Sequence, residues 1–423
     1  MRFRLSARLP ALLLCSALAA TISAGSSAAA SEKVLYSFTG GADGASPSGG
    51  VIADAAGALY GVSQVGGSAQ LGVVFKLTPP AAGQSKWSET TLHTFRGLDQ
   101  SDGDEPQTQL LMDKSGALYG TTFFGGIANN GTAYRLTPPV GGAGPWTETV
   151  LYSFCPNLGV CPDGQQPVGM TFGPDGALYG VAEFGGPTHG GVIFKLTPPQ
   201  SGHGSWAETV LAGLPLVSEP KAGLFIDSAG ALYGTTSLGG AFGHGSVFKV
   251  TPPAKGKTAW ALTTLWSFGR TPADGRLPLA AVSFGPDGAL YGTTALGGGK
   301  ANAGVVFRLL PPGPGQKTWQ EFVLHRFTGT DGAQSFAGVV FDGKGALYGT
   351  AAAGGPANQG SVFKLVKADS GVTWLEQILH TFRAATDAAE PIDPVLIRPS
   401  GALVGTSDLG GQFGKGAVYQ IVP

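Results

Sequence analysis

The chain has 423 residues, of which 43% are hydrophobic and only 13% charged, and its formal net charge is −1. That balance excludes the basic surface of a nucleic-acid binder and the polybasic patch of a protein that docks on anionic membranes. Glycine (70) and proline (30) punctuate the chain so often that short strands and tight turns, rather than helices, are expected.

Residues 1–30 read as an export signal. Arg2, Arg4 and Arg8 give a basic start, residues 9–22 a short apolar stretch, and small residues lead to a cleavage site at Ala28-Ala29-Ala30, with Ala24 an earlier option. The apolar run is too short and too alanine-rich to span a membrane. Leu14 in front of Cys15 suits lipidation poorly. Cleavage removes three basic residues and leaves 23 against 27 acidic ones, so the mature chain carries nothing that attracts nucleic acid. The expected location is secreted, periplasmic or at the cell surface, with no transmembrane span.

From residue 31 onward one phrase recurs. GALYG, or a close variant, begins at Gly57, Gly116, Gly176, Gly230, Gly288, Gly345 and, as GALVG, at Gly401. A period of roughly 58 residues marks a repeat architecture. In the second copy, residues 87–95 alternate polar with apolar side chains, as a half-buried strand does. A polar loop over 97–106 contains Asp102-Gly103, and residues 108–113 form a short strand that turns at Gly116. Residues 117–122 return antiparallel, Gly125-Gly126 opens a loop, and 131–136 run into Pro138-Pro139, which cannot donate to a ladder. Four strands per period with no room for a helix are the makings of propeller blades. A β-solenoid would need coils of about 20–30 residues, well short of this period. The expectation is an all-β fold: one domain over residues 31–423, a seven-bladed β-propeller of four-stranded blades. The strand at 32–38 would complete the last blade and close the ring, leaving no open edge.

Residues that recur in every copy are most simply explained by building the copy. Trp87, Trp146, Trp206, Trp260, Trp319 and Trp374 share one position and are expected to pack between blades. Turns such as 54–57 and 113–116 start with Asp and end with Gly, as a hairpin requires. The loops entering the inner strand carry Asp43, Asp102, Asp163 and Asp274, with looser versions at Asp331 and Asp387. The plain reading is an Asp-Gly turn before a proline; the other is a ring of channel-mouth carboxylates that attracts cations. His93, His325 and His380 stand where other copies have Tyr36, Tyr152 or Trp266, and read as aromatic fillers. Cys155 and Cys161 read as a loop-stapling disulfide in an exported protein. The rival, a metal site, would want a second pair.

Function is sought where the copies differ. The loops entering the inner strand and the Gly-Gly loops share one face and vary most, so binding is expected there. The third residue after GALYG is in turn Gln64, Phe123, Glu183, Ser237, Ala295, Ala352 and Asp408. Blades three and four depart furthest, with Glu183, His189 and His244 beside the cysteine loop and Glu219-Pro220 where others have Asp-Gly. A carboxylate with two histidines is the chemistry of a metal site or of proton transfer; solvated loop residues that merely neighbour one another is the plainer alternative. No Gly-x-Ser-x-Gly elbow, His-Glu-x-x-His or phosphate-cradling loop occurs.

The run Phe75-Lys76-Leu77-Thr78-Pro79-Pro80, the Gly120-Thr121-Thr122 that ends the repeat phrase, and the W-x-E-x-x-L-x-x-F strand resemble the Gloeo/Verruco repeat of exported bacterial proteins, some described as choice-of-anchor proteins. The match covers residues 32–422 and implies an exported location and a repeat architecture, with no shared catalytic residue. Pro423 follows the last strand without an apolar tail or sorting sequence, which speaks against surface attachment. The leading expectation is a monomeric, non-catalytic binding or interaction module for a glycan, an envelope component or a protein. It would use no cofactor, with room for a divalent cation. The alternative is a propeller hydrolase or lyase acting on a polysaccharide or lactone at the channel mouth. A purely structural envelope protein is the third reading.

Overall fold

A computed structural model describes residues 30–423 apart from 99–100, 143, 158, 160, 201–204, 369–370, 372 and 384–386. The expected export signal lies outside the described residues, save Ala30. Among the described residues there is no α-helix, and no helix long and apolar enough to cross a membrane.

The strands pair antiparallel into seven four-stranded blades, arranged as a seven-bladed propeller. Blade one runs outward from the axis through Ala45–Ala53, Leu59–Val65, Val73–Thr78 and Ser88–Thr94. Blade two repeats it, with an inner strand broken into Gly103–Pro106 and Leu111–Met112, both paired to Leu118–Gly125. Blade seven takes its outermost strand from the other end of the chain. Ser31–Ser37 pairs with Ala417–Val422, from Ser31 opposite Val422 to Ser37 opposite Ala417. The ring therefore closes as expected, and no sheet edge is left between the first and last blades.

Burial explains the repeated sequence strand by strand. The second strands, Leu-Tyr-Gly-Thr-Thr in blades four and five, are buried at every position because blades cover them on both sides. Outermost strands alternate exposed and covered positions, as in Ser88–Thr94. The glycine after the tyrosine has a specific cause. Gly61 pairs with Phe75, and a Cβ on it would lie 2.6 Å from the ring. Gly120 meets Tyr134 in the same way, at 2.4 Å.

The tyrosine of the phrase donates its hydroxyl to the aspartate of its own turn, as Tyr60 does to Asp54 at 3.0 Å and Tyr119 to Asp113 at 3.0 Å. The seventh copy has Val404 and Arg398 in those two places, so both partners are lost together. Arg398 lies instead 5.5 Å over the Trp87 ring. The other tryptophans also pack across to the preceding blade, with Trp146 at 6.3 Å from Tyr60 and Trp260 at 6.3 Å from Tyr179.

The entry to blade four differs from the sequence expectation. Glu219 does not replace an Asp-Gly pair. It has φ 45°, like the residues ahead of the other inner strands, Leu277 at 59° and Glu390 at 54°. Its carbonyl accepts the Ser237 N–H just as those of Leu277 and Glu390 accept Ala295 and Asp408. Leu216-Val217 fills the place of Asp-Gly.

Candidate functional site

The inner strands of all seven blades surround an axial cavity of about 640 Å³. Its most informative lining is one register, the residue that follows Pro47, Pro106, Pro167, Pro220, Pro278, Ser335 or Pro391. The seven blades place there Ser48, Gln107, Val168, Lys221, Leu279, Phe336 and Ile392. No two are alike. One step further the residues are mostly small, except that blade seven has Asp393. Phe123 and Gln109 add an aromatic ring and an amide.

Asp393 is buried, and burial raises its carboxyl to about 6. It accepts the Gly49 N–H at 2.8 Å and the Thr406 hydroxyl at 2.6 Å, so it ties blade seven to blade one at the cavity wall. Lys221 is ion-paired with Glu183 of blade three, and its amino group also lies 5.9 Å over the Phe184 ring. Glu183 is only 2% exposed, and burial raises its pKa against the pull of Lys221. It stands behind the cavity and holds the lysine that lines it.

The structure does not assemble Glu183, His189 and His244 into one cluster. His189 is exposed and lines a separate pocket of about 390 Å³ with Asn130, Gln165 and the Cys155–Cys161 loop, which is disulfide-bonded. His244 lies against Gly269 and offers its carbonyl to Leu277. Gln64, Glu219 and Asp408 do not line the axial cavity either.

The six loop aspartates stand away from the axial cavity, and none lines it. Each caps its own loop, and all but Asp274 also reach a side chain on the outer strand of the preceding blade. Asp43 accepts the Tyr36 hydroxyl and the Thr39 N–H, both at 2.9 Å. Asp163 accepts Tyr152 at 2.7 Å and the Cys155 N–H at 2.9 Å, while Asp102 takes His93 at 3.1 Å and Arg96 N–H at 2.9 Å. Asp274 accepts the Gly269 and Arg270 N–H groups at 2.9 and 3.0 Å. Asp331 and Asp387 lie 3.2 and 3.4 Å from His325 and His380.

A glutamate from the outer strand faces each of these aspartates. Glu148, Glu376 and Glu32 do so where the third member is histidine, Glu89 and Glu208 where it is tyrosine, and Glu321 where it is Trp266. Burial, with the aspartate charge adding to it at each, raises five of these glutamates to about 7 and Glu321 to about 8. At two histidine junctions, Glu32/His380/Asp387 and His325/Asp331/Glu376, the donor atoms gather within 4.8 Å. The tyrosine and tryptophan junctions keep the two carboxyls without that third donor, so the shared element is a carboxyl pair rather than a metal nest. Sequence reasoning missed Asp393, Lys221 and the pairing of the glutamates. The first two had a visible signal, a charge in a register otherwise small or uncharged. The third had a fainter one, the joint absence of glutamate, aromatic residue and aspartate at Leu262, Ala212 and Leu216, spread over distant segments just as Glu89 meets an aspartate 46 residues earlier in the chain.

Solved structures confirm the fold. The proposed 6-phosphogluconolactonase of Bacteroides uniformis is 16% identical with a TM-score of 0.51, over 85% of this chain and 89% of that one. The extracellular domain of a proposed one-component system of B. thetaiotaomicron is 11% identical with a TM-score of 0.51, over 92% of this chain but 40% of its own. PorZ, a surface component of the type-IX secretion system of Porphyromonas gingivalis, is 13% identical with a TM-score of 0.50, over 88% of this chain and 46% of its own. At these identities the likeness is one of fold. No curated protein matches the sequence. The Gloeobacter/Verrucomicrobia repeat matches residues 20–212 and 169–419, almost the whole chain, and the protein belongs to that family.

Proposed function

We propose that this is an exported binding protein whose axial cavity takes a small polar ligand of the carbohydrate class. The observation that carries the reading is the single register at which seven otherwise repeating blades present seven different side chains. Building a blade explains residues that recur; it does not explain these. The lining mixes apolar faces, Phe336, Phe123, Leu279 and Ile392, with hydrogen-bonding groups, Ser48, Gln107 and Gln109. That combination suits a sugar, which offers C–H faces to rings and hydroxyls to amides. Binding is favoured over hydrolysis because the two charged groups at the wall are already engaged: Lys221 by Glu183, and Asp393 by Gly49 and Thr406. Export is supported by the basic and apolar start and by the disulfide.

The test is an oligosaccharide array on the full mature chain, followed by titration calorimetry with whatever is captured. Phe336→Ala combined with Gln107→Ala is expected to weaken binding at least tenfold at unchanged thermal stability. A ligand that binds the double variant as tightly as the parent removes the axial site from consideration.

A further inference from the structure

At six of the seven junctions between blades a half-buried glutamate carboxyl faces an aspartate carboxyl, within hydrogen-bonding reach for Glu32 with Asp387 and Glu321 with Asp274, while Glu89 also accepts the Thr91 hydroxyl. In five of them the glutamate Oε1 is buried with no hydrogen-bond partner: Glu32, Glu148, Glu208, Glu321 and Glu376. The Trp266 junction is the most enclosed. Asp274 there is 6% exposed; its Oδ2 is satisfied by two backbone N–H groups, and its Oδ1 has no partner. Glu321 lies within hydrogen-bonding reach of it. Two acceptor oxygens that meet in a buried place need a hydrogen between them, because two ionised carboxylates there would repel at low dielectric.

The remaining junction, between blades three and four, lacks the whole arrangement at once. Leu262 replaces the glutamate, Ala212 the aromatic residue, and Leu216 the aspartate. Three substitutions from separate segments, falling at one junction, mark the three positions as a unit. That junction has a different electrostatic link, the Glu183–Lys221 ion pair.

We propose that the six carboxyl pairs are proton-operated clasps between blades: each holds one proton between its two side chains, and loss of those protons loosens every junction except the one between blades three and four. A protonated glutamate donates to the aspartate, whose other oxygen keeps its backbone or side-chain donors. Deprotonation leaves two negative charges sharing one buried site. The direction follows from linkage. A carboxyl that keeps its proton better folded than unfolded gives stability that is complete below the unfolded carboxylate range and is lost as pH rises toward the folded value. The loss therefore runs from about pH 4.5 to about pH 7–8. Other charges face the pairs. His93, His325 and His380 lie beside the pairs of their own junctions, and burial lowers His325 so that it adds stability only above the histidine range. Arg326 faces Glu321 from its own strand, the Tyr36 and Tyr152 hydroxyls donate to Asp43 and Asp163, and the buried Tyr134 and Tyr419 face Glu148 and Glu32 from the neighbouring strands, where burial keeps both hydroxyls protonated across this range. The Trp266 junction brings no histidine, so it is the place to test.

The experiment is denaturant unfolding of the full mature chain between pH 5 and 8.5, for the parent and for Glu321→Gln. A glutamine donates to Asp274 as a protonated glutamate does, but cannot titrate. The parent is expected to lose stability steadily across pH 5–8. Each clasp should change the unfolding constant by up to about tenfold per pH unit, and the variant should lose up to one such factor from the slope while matching the parent at pH 5. A parent whose stability is flat or rises across the range overturns the proposal, and so does a variant with an unchanged slope. Should the variant fail to fold, hydrogen exchange on the parent, corrected for intrinsic rates, decides. Protection is expected to fall with pH along the outer strands at the six junctions and to persist where Val192–Thr197 meets the blade-four wall. A uniform change over all seven junctions, or protection that a chelator removes and pH does not, refutes the clasp.

Discussion

Phe38 anchors the strand that closes the ring, and replacing it tests closure against an internal standard. Its ring is 0% exposed and lies 5.0 Å from that of Phe75, across the junction of blades seven and one. Phe154 holds the equivalent place in the middle of the chain, also at 0% exposure, 4.9 Å from Phe194. Truncating a buried phenylalanine to alanine costs about 3–5 kcal/mol, the lost transfer energy together with the cavity left behind. If Ser31–Ser37 is docked as firmly as an internal outer strand, Phe38→Ala and Phe154→Ala should lose the same amount to within about 1 kcal/mol. A terminal strand that frays would report far less for Phe38, since its unfolding would precede that of the ring. Deleting residues 31–38 goes further. It uncovers Val418 and Leu77, leaves the edge of Ala417–Val422 unpaired and strips Asp43 of the Tyr36 hydroxyl. Urea unfolding followed by tryptophan fluorescence reads all three proteins. A deletion with the parent's urea midpoint, or Phe38→Ala costing less than about 1 kcal/mol beside a costly Phe154→Ala, would refute closure.

Three further outcomes can be checked by the same denaturation assay. Gly120→Ala places a methyl 2.4 Å from the buried Tyr134 hydroxyl and is expected to cost about 1–3 kcal/mol through overpacking; a variant as stable as the parent contradicts the ring-over-glycine account. Replacing Cys155 and Cys161 by serine together frees a short loop and should cost about 2 kcal/mol, so reductant and the double variant should have equal effects. Asp113 is pushed up by burial but held below the usual carboxylate range by Ser115, the Ala117 N–H and the Tyr119 hydroxyl. Its contribution is therefore present above about pH 4 and lost as pH falls below that, and Asp113→Asn should flatten the acid limb of the stability curve.

The propeller was legible because its architecture is written at every copy. A fixed period, prolines that stop a strand and Asp-x-x-Gly turns all act locally, and local chemistry survives being read one segment at a time. The closing strand was legible for the same reason, since residues 32–38 repeat an outer-strand pattern found in full elsewhere. What failed was placement across blades. The loop aspartates read first as turn formers and second as a channel-mouth rim, and nothing in the sequence shows that Asp43 and Asp102 turn to an aromatic partner on the preceding blade. Glu183 and the two histidines are near in blade number, but one is buried, one exposed and one packed on a neighbouring loop. Equivalent ring positions do not reveal which way a side chain faces. The entry to blade four was misaligned because its Glu-Pro resembles an acidic turn; the positive φ at Glu219 shows the true register.

A repeat protein carries its own controls, and their use here reaches past the fold. Val404 and Arg398 show tyrosine and aspartate lost together in one blade, and the structure supplies the reason, a hydroxyl donated to a carboxylate in the blades that keep both. Leu262, Ala212 and Leu216 show the same for the carboxyl pair and its aromatic neighbour. Substitutions coupled in this way belong to the scaffold. At the axial register Ser48, Gln107, Val168, Leu279, Phe336 and Ile392 all differ, while the residue before them is proline in every blade but the sixth, where it is Ser335. Lys221 is the seventh, coupled to Glu183 across the one junction that lacks a carboxyl pair. That junction therefore gives up the link its six counterparts share and has, in its place, an ion pair whose lysine lines the cavity wall. The ion pair links blades three and four where the carboxyl pair is missing, and it also fixes the one basic side chain of that register at the cavity wall.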